Sequence, residues 1–391
     1  MKIAMFVETF LPQINGMVTR ICSTLDCLSN SNNTVLLFAP KSNMQTYKNI
    51  KIIGVNYIWL KKVHEDMKLT IPTPRIFKEL NQFKPDIIHV LNPSLVGRCL
   101  VFYCRSKKIP YVTSYHFNVT QYLDVYKKML HPIKYAFFWS AIYPIAYFIG
   151  IHSINMSDIC LVPIMKMTES LKKMGCKNKN IQVWPTGVDK TIFSFNNYNK
   201  KMRKRLSGEE NSKLVFLYVG RLDVAKGIYN IKPILDAFPE ASLAIVGKGE
   251  SRQMFEEYFK GTKTKFLGVL KGKELSEAYA SADVFIIPSK IETFGFVVLE
   301  AMASGLLVVG ANCAALPFVI DDNENGFLYH PDNPKEAIKK IKFFLNSEKL
   351  KNKILSNAQS KTKNMSWEKA TEKLVQIYQQ TIKNNDKEYL S

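Results

Sequence analysis

The chain of 391 residues is 47% hydrophobic, which predicts two globular domains of ordinary size. Its seven cysteines show neither Cys-x-x-Cys spacing nor a cluster with histidine, so neither a disulfide framework nor a zinc site is indicated, and a reducing cytosol is the expected setting. The formal net charge of +21 leaves three explanations open: nucleic acid, an anionic membrane surface, or a compositional bias toward lysine. No nucleic-acid motif accompanies the charge, and the lysines are scattered along the chain.

Short apolar runs alternate with helical segments along the first half of the chain, and this alternation predicts a doubly wound α/β sheet. The predicted strands are residues 2–7, 34–39, 51–54, 86–90, 110–113 and 159–163, and the predicted helices are residues 17–30 and 75–83. The first run is too short for a signal peptide and is interpreted as a core strand.

A polar stretch after Asp189 interrupts the pattern, which then repeats in the second half. The predicted strands there are residues 214–219, 242–246, 264–267, 283–288 and 306–310. We therefore predict an N-terminal domain of residues 1–188 and a C-terminal domain of residues 189–365. A last helix, residues 366–391, has apolar side chains at helical spacing, so we expect it to pack back on the N-terminal domain.

Residues 135–151 contain no charged side chain and are just long enough, at about 17 residues, to raise the question of a membrane-spanning helix. Pro144 interrupts the run, and its tyrosine and tryptophan side chains need polar partners, so a buried or interfacial helix is expected instead. With Lys127, Lys128 and Lys134 beside it, the segment could dock on a bilayer; an ordinary core helix is the alternative.

A loop and helix in the second half predict a binding site. Glu292 and Glu300 lie eight residues apart after the strand 283–288, and ligands of parallel α/β sheets bind at the carboxyl ends of the strands. The carboxylates can accept hydrogen bonds from hydroxyl groups, and a helix start can bind phosphate. The backbone amides of this helix start belong to Thr293, Phe294, Gly295 and Phe296. These groups suit a nucleotide sugar, whereas two solvated glutamates on an ordinary connection are the alternative.

A second loop fits the same ligand. Arg221 and Lys226 stand five residues apart in a glycine-bounded turn after the strand 214–219. Two cations in such a turn can neutralise a leaving diphosphate, while solvated basic side chains are the alternative in a lysine-rich chain. Because both loops follow strands of the same half, we predict that they build one donor site.

The order and spacing of these motifs resemble the retaining family 4 glycosyltransferases of the GT-B fold. The C-terminal motifs that carry the resemblance are Gly220-Arg-Leu-x-x-x-Lys-Gly227, Val246-Gly-x-Gly249, Phe266-Leu-Gly268, Tyr279-Ala-Ser-Ala-Asp283 and the segment from Glu292 to Glu300. The N-terminal motifs are Glu8-Thr-Phe-Leu-Pro12-x-x-Asn-Gly16, Pro85-Asp-Ile-Ile-His89, Ser114-Tyr-His-Phe-Asn118 and Trp184-Pro-Thr-Gly-Val-Asp189. The resemblance implies two Rossmann-like, doubly wound domains that face a cleft. Within the family, residues 114–126 and 270–283 are most similar to the sulfoquinovosyldiacylglycerol synthases.

The resemblance also implies a role for each matching residue of the second half. Arg221 and Lys226 would bind the donor diphosphate, and Glu300 would bind the ribose hydroxyls. Glu292, with the backbone amides of Thr293, Phe294, Gly295 and Phe296, would bind the transferred sugar.

The remaining implied contacts come from other loops. Gly16 would let the first loop approach the diphosphate, and the backbone around Val269 and Leu270 would face the base. His116 would lie near the reacting carbon, where it could hydrogen-bond a donor hydroxyl or steady positive charge. A lone histidine is more often structural, and this is our interpretation of His89, which is expected to cap the end of its strand.

Retaining transfer without a protein nucleophile is the mechanism that the resemblance implies. The leaving phosphate would take the proton of the acceptor hydroxyl, so catalysis would consist of orientation and of stabilisation of the diphosphate, with no cofactor and no metal ion. Asp321 and Asp322 are accordingly interpreted as a surface turn.

The expected donor is UDP-sulfoquinovose or another UDP-hexose, and the expected acceptor is diacylglycerol at a membrane surface. A GDP-mannose donor and a glycan or protein acceptor stay open. A nucleotide-sugar epimerase or a non-catalytic sugar-nucleotide-binding subunit is the alternative from another class. The sequence departs from the family pattern at Leu307, where proline is usual, and at residues 311–315, which replace a glycine-containing loop.

Overall fold

A computed structural model describes residues 1–13, 15–59, 68–91, 94–116, 143–210, 212–292 and 295–390. The described residues form two compact units. The first contains residues up to 116, residues 143–187 and the C-terminal helix from Trp367, and the second contains residues 188–366. Each unit is an α/β layer structure on a mainly parallel sheet, which confirms the predicted fold class.

The first unit contains ten strands. They are β1 (Lys2–Phe6), β2 (Thr34–Pro40), β3 (Thr46–Tyr47), β4 (Ile50–Val55), β5 (Tyr57–Trp59), β6 (Lys68–Thr70), β7 (Ile87–Val90), β8 (Tyr111–Ser114), β9 (Ile159–Val162) and β10 (Ile181–Val183). Eight of them form one sheet in the order β10-β9-β8-β7-β1-β2-β4-β3, while β5 and β6 form a separate hairpin. Only the β3–β4 pair in this sheet is antiparallel.

The helices of the first unit cover this sheet. They are α1 (Gly16–Ser29), α2 (Pro74–Phe83), α3 (Leu95–Lys107), α4 (Tyr143–Asn155) and α5 (Met167–Lys173). The side chain of Asn15 accepts a hydrogen bond of 3.0 Å from the amide of Val18, and this N-cap starts α1 directly at Gly16. Of the segment 135–151, residues 135–142 lie outside the described residues and the rest belongs to α4. Within the described part of the chain, no helix is long and apolar enough to cross a membrane.

The second unit is built on six parallel strands. They are β11 (Leu214–Val219), β12 (Ala241–Val246), β13 (Thr264–Gly268), β14 (Val284–Ile287), β15 (Leu307–Ala311) and β16 (Phe327–Tyr329). Their order is β13-β12-β11-β14-β15-β16, which is the 3-2-1-4-5-6 order of dinucleotide-binding sheets. Apart from β13, these strands are almost wholly buried, which explains why they appear in the sequence as continuous apolar runs.

The helices of the second unit are α6 (Lys200–Ser207), α7 (Ile231–Asp236), α8 (Arg252–Tyr258), α9 (Gly272–Ala280), α10 (Phe296–Ala303), α11 (Leu316–Val319), α12 (Pro334–Leu345) and α13 (Glu348–Lys363). The chain ends in α14 (Trp367–Leu390), which belongs to the first unit. Asp321 and Asp322 lie in the turn before β16, where Asp322 pairs with Lys340 at 2.9 Å.

The helix α14 packs into the core of the first unit. Leu374, Ile377 and Tyr378 are buried in the same hydrophobic cluster as strand β1. His89 lies within β7, and its two ring nitrogens hydrogen-bond the hydroxyl groups of Tyr378 and Ser114. The expectation that His89 caps a strand end is therefore wrong: the imidazole is fully buried and joins α14 to the sheet.

Tyr378→Phe is expected to lower the free energy of unfolding of the first unit by about 1–3 kcal/mol, because the buried Nδ1 of His89 loses its hydrogen-bond partner. Urea denaturation followed by circular dichroism measures the change. Tyr198→Phe is the matched control, since the Tyr198 side chain is 56% exposed. Equal losses in the two variants would contradict the structural role of the Tyr378 hydroxyl.

Candidate active site

The carboxyl ends of β11 and β14 adjoin at the point where the strand order reverses. Ligands of such sheets bind in the crevice at this point, because the connections from the two strands run to opposite sides. The loop after β11 carries Arg221 and Lys226, and the loop after β14 carries Glu292 and Gly295. The structure thus places the two predicted loops on neighbouring strands.

An ion pair joins these two loops. The Nζ atom of Lys226 lies 3.0 Å from Oε2 of Glu292 and also donates a hydrogen bond of 3.2 Å to the carbonyl of Ile291. Both charged side chains are largely buried. Gly227 makes the close approach feasible, since its φ is +68° and a Cβ atom there would lie 2.7 Å from the carbonyl oxygen of Pro288. One cation and one carboxylate are therefore held at the end of the sheet.

Arg221 is held on the same turn by its neighbours in sequence. Its Nη2 atom lies 2.9 Å from Oδ2 of Asp223, and its backbone carbonyl accepts a hydrogen bond of 3.0 Å from the hydroxyl of Tyr218. Asp223 also accepts a hydrogen bond of 2.9 Å from the amide of Ala225, which starts the 3-10 turn Val224–Lys226. Asp223 thus orients the guanidinium and shapes the turn that carries Lys226.

A helix begins at the end of the second loop. The helix α10 begins at Phe296, and Gly295 precedes it with a φ of +80°. The first amides of a helix have no partner within the helix and carry a partial positive charge, which favours phosphate. Thr293 and Phe294, which are predicted to contribute two further amides, lie outside the described residues.

Glu300 lies one turn further along α10. One of its carboxylate oxygens accepts a hydrogen bond of 2.9 Å from the hydroxyl of the buried Tyr279, to which the sequence patterns assigned no role. Burial raises the pKa of Glu300 to about 7, although the hydrogen bond from Tyr279 lowers it. The carboxyl group is therefore oriented, and its charge is disfavoured by its surroundings.

Val269 and Leu270 lie further from the reversal point. They follow β13, an edge strand of the sheet. One strand, β12, lies between β13 and β11. Val269 is 39% exposed and Leu270 is buried. The structure thus places both at the same carboxyl edge as the charged loops, without bringing them into the Lys226–Glu292 cluster.

Gly16 and His116 lie in the first unit, at the carboxyl edge of its sheet. Gly16 is the first residue of α1, and His116 follows β8, two strands away from β1. The imidazole is buried, with its ring 5.2 Å from the ring of Trp184 between centroids. Burial, together with the nearby Arg20 and His89, holds the pKa of His116 well below its usual range. These surroundings therefore favour the neutral imidazole.

Arg20 and Trp184 are further residues that the sequence patterns left without a role. Arg20 occupies a buried position on the apolar side of α1, beside Ile21 and Leu25. A basic residue among buried positions of a helix is the signal that could have identified it. Trp184 belongs to a motif that carries the family resemblance, and it is the largest fully buried side chain of the described residues.

Family profiles match both halves of the chain. Glycosyltransferase Family 4 matches residues 14–191, and Glycosyl transferases group 1 matches residues 199–361. The sulfoquinovosyl transferase SQD2 of Arabidopsis thaliana is 31% identical over 384 residues, which cover 95% of this chain and 72% of that protein. This chain is a family 4 glycosyltransferase. The resemblance seen in its motifs is thereby confirmed.

Two further relatives of this glycosyltransferase have other donors or products in their names. A GDP-mannose-dependent alpha-mannosyltransferase of Corynebacterium glutamicum is 26% identical over 387 residues, covering 98% of this chain and 89% of that protein. An alpha-monoglucosyldiacylglycerol synthase of Acholeplasma laidlawii is 22% identical over 402 residues, covering 99% of each. The sugars named in these relatives differ: sulfoquinovose, mannose and glucose.

Solved structures confirm the GT-B fold of the glycosyltransferase. Sucrose-phosphate synthase of Thermosynechococcus elongatus matches with a TM-score of 0.77 at 19% identity, covering 97% of this chain and 98% of that chain. HepE of Anabaena, in complex with UDP and glucose, matches with a TM-score of 0.74 at 16% identity, covering 97% of this chain and all of the other.

Glu300→Gln is expected to make the second unit of the glycosyltransferase more stable at pH 8. Because burial raises the pKa of Glu300 from 4.5 to about 7, the folded chain binds this proton more tightly than the unfolded chain does. The resulting stabilisation is complete below pH 4.5 and is lost as the pH rises through 7, a change of about 3 kcal/mol. Glutamine has no charge to bury and avoids this loss.

Urea denaturation at pH 5.5 and pH 8 measures the effect of Glu300→Gln. The matched control is Glu257→Gln, whose parent side chain is 75% exposed. A Glu300→Gln protein no more stable than the unaltered protein at pH 8 would contradict the assigned burial of the carboxyl group.

Proposed function

We propose that this glycosyltransferase moves a hexose from a UDP-linked sugar to a lipid hydroxyl, with retention of anomeric configuration and without a metal ion. UDP-sulfoquinovose is the donor that the 31% identity to SQD2 favours. Diacylglycerol is the acceptor that the likeness to the Acholeplasma synthase favours. The observation that carries the proposal is the cluster of Arg221, Lys226 and Glu292 at the reversal point of the second sheet.

The donor diphosphate takes the two cations. Arg221 and Lys226 bind its oxygens together with the start of α10. As Lys226 turns to the diphosphate, Glu292 accepts hydrogen bonds from the hydroxyls of the transferred sugar. Glu300, oriented by Tyr279, accepts hydrogen bonds from the ribose, and the backbone at Val269 and Leu270 faces the base. Each charged group thus receives a partner in the complex.

The transfer needs no protein nucleophile in this proposal. The bond between the sugar carbon and the diphosphate oxygen breaks, and the acceptor oxygen bonds to the same face of that carbon. The acceptor proton passes to the leaving diphosphate oxygen. Negative charge develops on the diphosphate in the transition state, where Arg221, Lys226 and the helix start stabilise it in place of a metal ion. The neutral His116 hydrogen-bonds a hydroxyl of the donor sugar, and Gly16 lets α1 approach the diphosphate.

A GDP-mannose donor is the second candidate. The mannosyltransferase of Corynebacterium glutamicum covers 98% of this chain at 26% identity, which is nearly the whole length of both units. The two cations proposed to bind the diphosphate suit either nucleotide sugar, because UDP-linked and GDP-linked sugars both contain a diphosphate.

The helices α3 and α4 bear an aromatic and basic surface that suits a membrane. Phe102 and Phe148 are 56% and 61% exposed, and the guanidinium carbon of Arg98 lies 5.8 Å from each ring. Arg105 and Lys107 lie in the last turn of α3, and neither helix contains an acidic residue. Aromatic rings among basic side chains favour the interface of an anionic bilayer. We propose that the enzyme meets its lipid acceptor here.

Nucleotide release tests the proposed reaction. The purified protein is incubated separately with UDP-sulfoquinovose, UDP-glucose and GDP-mannose, with and without dioleoylglycerol in vesicles, in buffer containing EDTA. We expect release from one UDP sugar that depends on dioleoylglycerol and persists in EDTA. Release from GDP-mannose alone selects the second candidate. Failure with every donor, loss of activity in EDTA, or lipid-independent isomerisation of the donor would refute the proposal.

Arg221→Ala supplies the residue-level control of this assay. Loss of one charge-stabilising donor is expected to lower kcat/KM about 100-fold or more. Arg205→Ala is the matched variant, because Arg205 lies on the surface of the same unit and pairs with Glu274 at 2.9 Å. It should leave turnover unchanged, and equal losses would exclude the assigned role of Arg221.

Membrane binding is expected to decrease at least 10-fold when both Phe102 and Phe148 are replaced by serine, because each buried phenylalanine contributes about 1.5–3 kcal/mol. Cosedimentation with phosphatidylglycerol vesicles measures binding, and phosphatidylcholine vesicles test the dependence on anionic lipid. Phe343→Ser is the matched control, since Phe343 is 64% exposed on the second unit. Unchanged cosedimentation of the double variant would refute the proposed surface.

A further inference from the structure

The core of the first unit contains a buried arginine that has no carboxylate partner among the described residues. Arg20 is 1% exposed, and its guanidinium donates hydrogen bonds to Oγ1 of Thr186 at 2.7 Å and to the carbonyls of Trp184 and Pro185 at 2.7 and 3.0 Å. The guanidinium carbon also lies 3.8 Å from the centre of the Trp184 ring. Burying an arginine without a counter-ion is costly, so its precise placement calls for a reason beyond packing.

The partners of Arg20 connect it to both residues of this unit that are proposed to contact substrate. Trp184 packs edge to face against His116, with 5.2 Å between ring centroids. Arg20 itself lies one helical turn after Gly16 on α1, and its hydrogen bonds tie this first turn to residues 184–186. One guanidinium therefore fixes the start of α1 and the aromatic ring that supports His116.

We propose that Arg20 is a positioning residue for the transfer reaction, which holds His116 through Trp184 and holds Gly16 through the first turn of α1. The proposal rests on the roles proposed above for His116 and Gly16. It assigns no contact between Arg20 and substrate, because Arg20 is 1% exposed and its guanidinium donates to Thr186 and to the carbonyls of Trp184 and Pro185.

The charge of Arg20 has a further consequence for His116. The groups that act on the imidazole among the described residues are Arg20 from α1 and His89 from β7, while Tyr378 from α14 hydrogen-bonds His89. Burial and the positive charge of Arg20 both oppose protonation of His116. Its Nε2 atom is buried and has no hydrogen-bond partner among the described residues. A neutral imidazole in a fixed orientation can thus give its hydrogen bond to a substrate hydroxyl.

A double-mutant cycle of Arg20→Gln and His116→Gln tests the proposal. The readout is kcat with each of the three donors named above and dioleoylglycerol in phosphatidylglycerol vesicles. Arg20→Gln is expected to lower kcat about 10- to 100-fold with a smaller change in KM, because a misplacement near 1 Å has effects of this size. The double variant should be about as slow as His116→Gln alone. Losses that multiply, or an unchanged kcat in Arg20→Gln, would overturn the proposal.

Two milder variants keep the test valid if Arg20→Gln does not fold by circular dichroism. Thr186→Val removes one hydrogen bond of the guanidinium, and Arg20→Lys keeps the charge but loses the planar stack on Trp184. Both should lower kcat several-fold. Arg203→Gln is the matched control: Arg203 is a largely buried structural arginine of the second unit, paired with Asp283 at 2.8 Å. Arg203→Gln should destabilise the protein, but it should show no energetic coupling in kcat with His116→Gln.

The titration of His116 gives a readout that is independent of turnover. Side-chain ¹⁵N resonances, assigned with His116→Gln, are followed from pH 8 down to the lowest pH at which each protein stays folded. Protonation is expected at higher pH in Arg20→Gln than in the unaltered protein, and Arg20→Lys should resemble the unaltered protein because the charge is retained. An identical titration in all three proteins would contradict the effect of Arg20. If no donor is consumed by the unaltered enzyme, the proposed function fails, and this titration still decides whether Arg20 acts on His116.

Discussion

The reversal of strand order between β11 and β14 is the constraint on which the proposed donor site depends. The chain leaves β11 toward one side of the sheet and leaves β14 toward the other, so two loops meet at one point of the carboxyl edge. The buried strands make this edge rigid, and the ion pair between Lys226 and Glu292 joins the loops across it. The sheet thus positions the two loops, and Arg221 and Lys226 supply the positive charge for the diphosphate in the proposed complex.

Burial shifts the pKa values of two proposed site residues, one in each unit, in opposite directions. It raises the pKa of Glu300 and lowers the pKa of His116, so both groups tend toward their neutral forms. Arg221 and Lys226, in contrast, lie in loops and are each accompanied by a carboxylate. Glu300 and His116, both proposed to form hydrogen bonds with the sugars, are therefore buried and tend to be neutral, whereas the two side chains proposed to bind the diphosphate are cations paired with carboxylates. Such contrasting surroundings are typical of ionisable side chains at functional sites.

The sequence patterns predict strands of four or more residues well and shorter strands badly. The predicted strands 214–219 and 242–246 agree with β11 and β12 within one residue, because both are continuous apolar runs. The strands β3, β10 and β16 and the β5–β6 hairpin were not predicted, since two or three residues show no periodicity. Arg20 was missed for another reason: its partners lie more than 160 positions away, and two of them are backbone carbonyls that no local pattern encodes.

The pairing of Lys226 with Glu292 also bears on selectivity among cellular anions. A phosphate that lacks a sugar can attract Lys226 only by leaving the largely buried Glu292 without a partner, which costs about 1–3 kcal/mol. A nucleotide sugar avoids this loss, because it brings hydroxyl donors for the carboxylate together with its diphosphate. We therefore expect the pair to reject orthophosphate and to weaken the hold on the nucleotide once the sugar has left, which favours turnover over product inhibition.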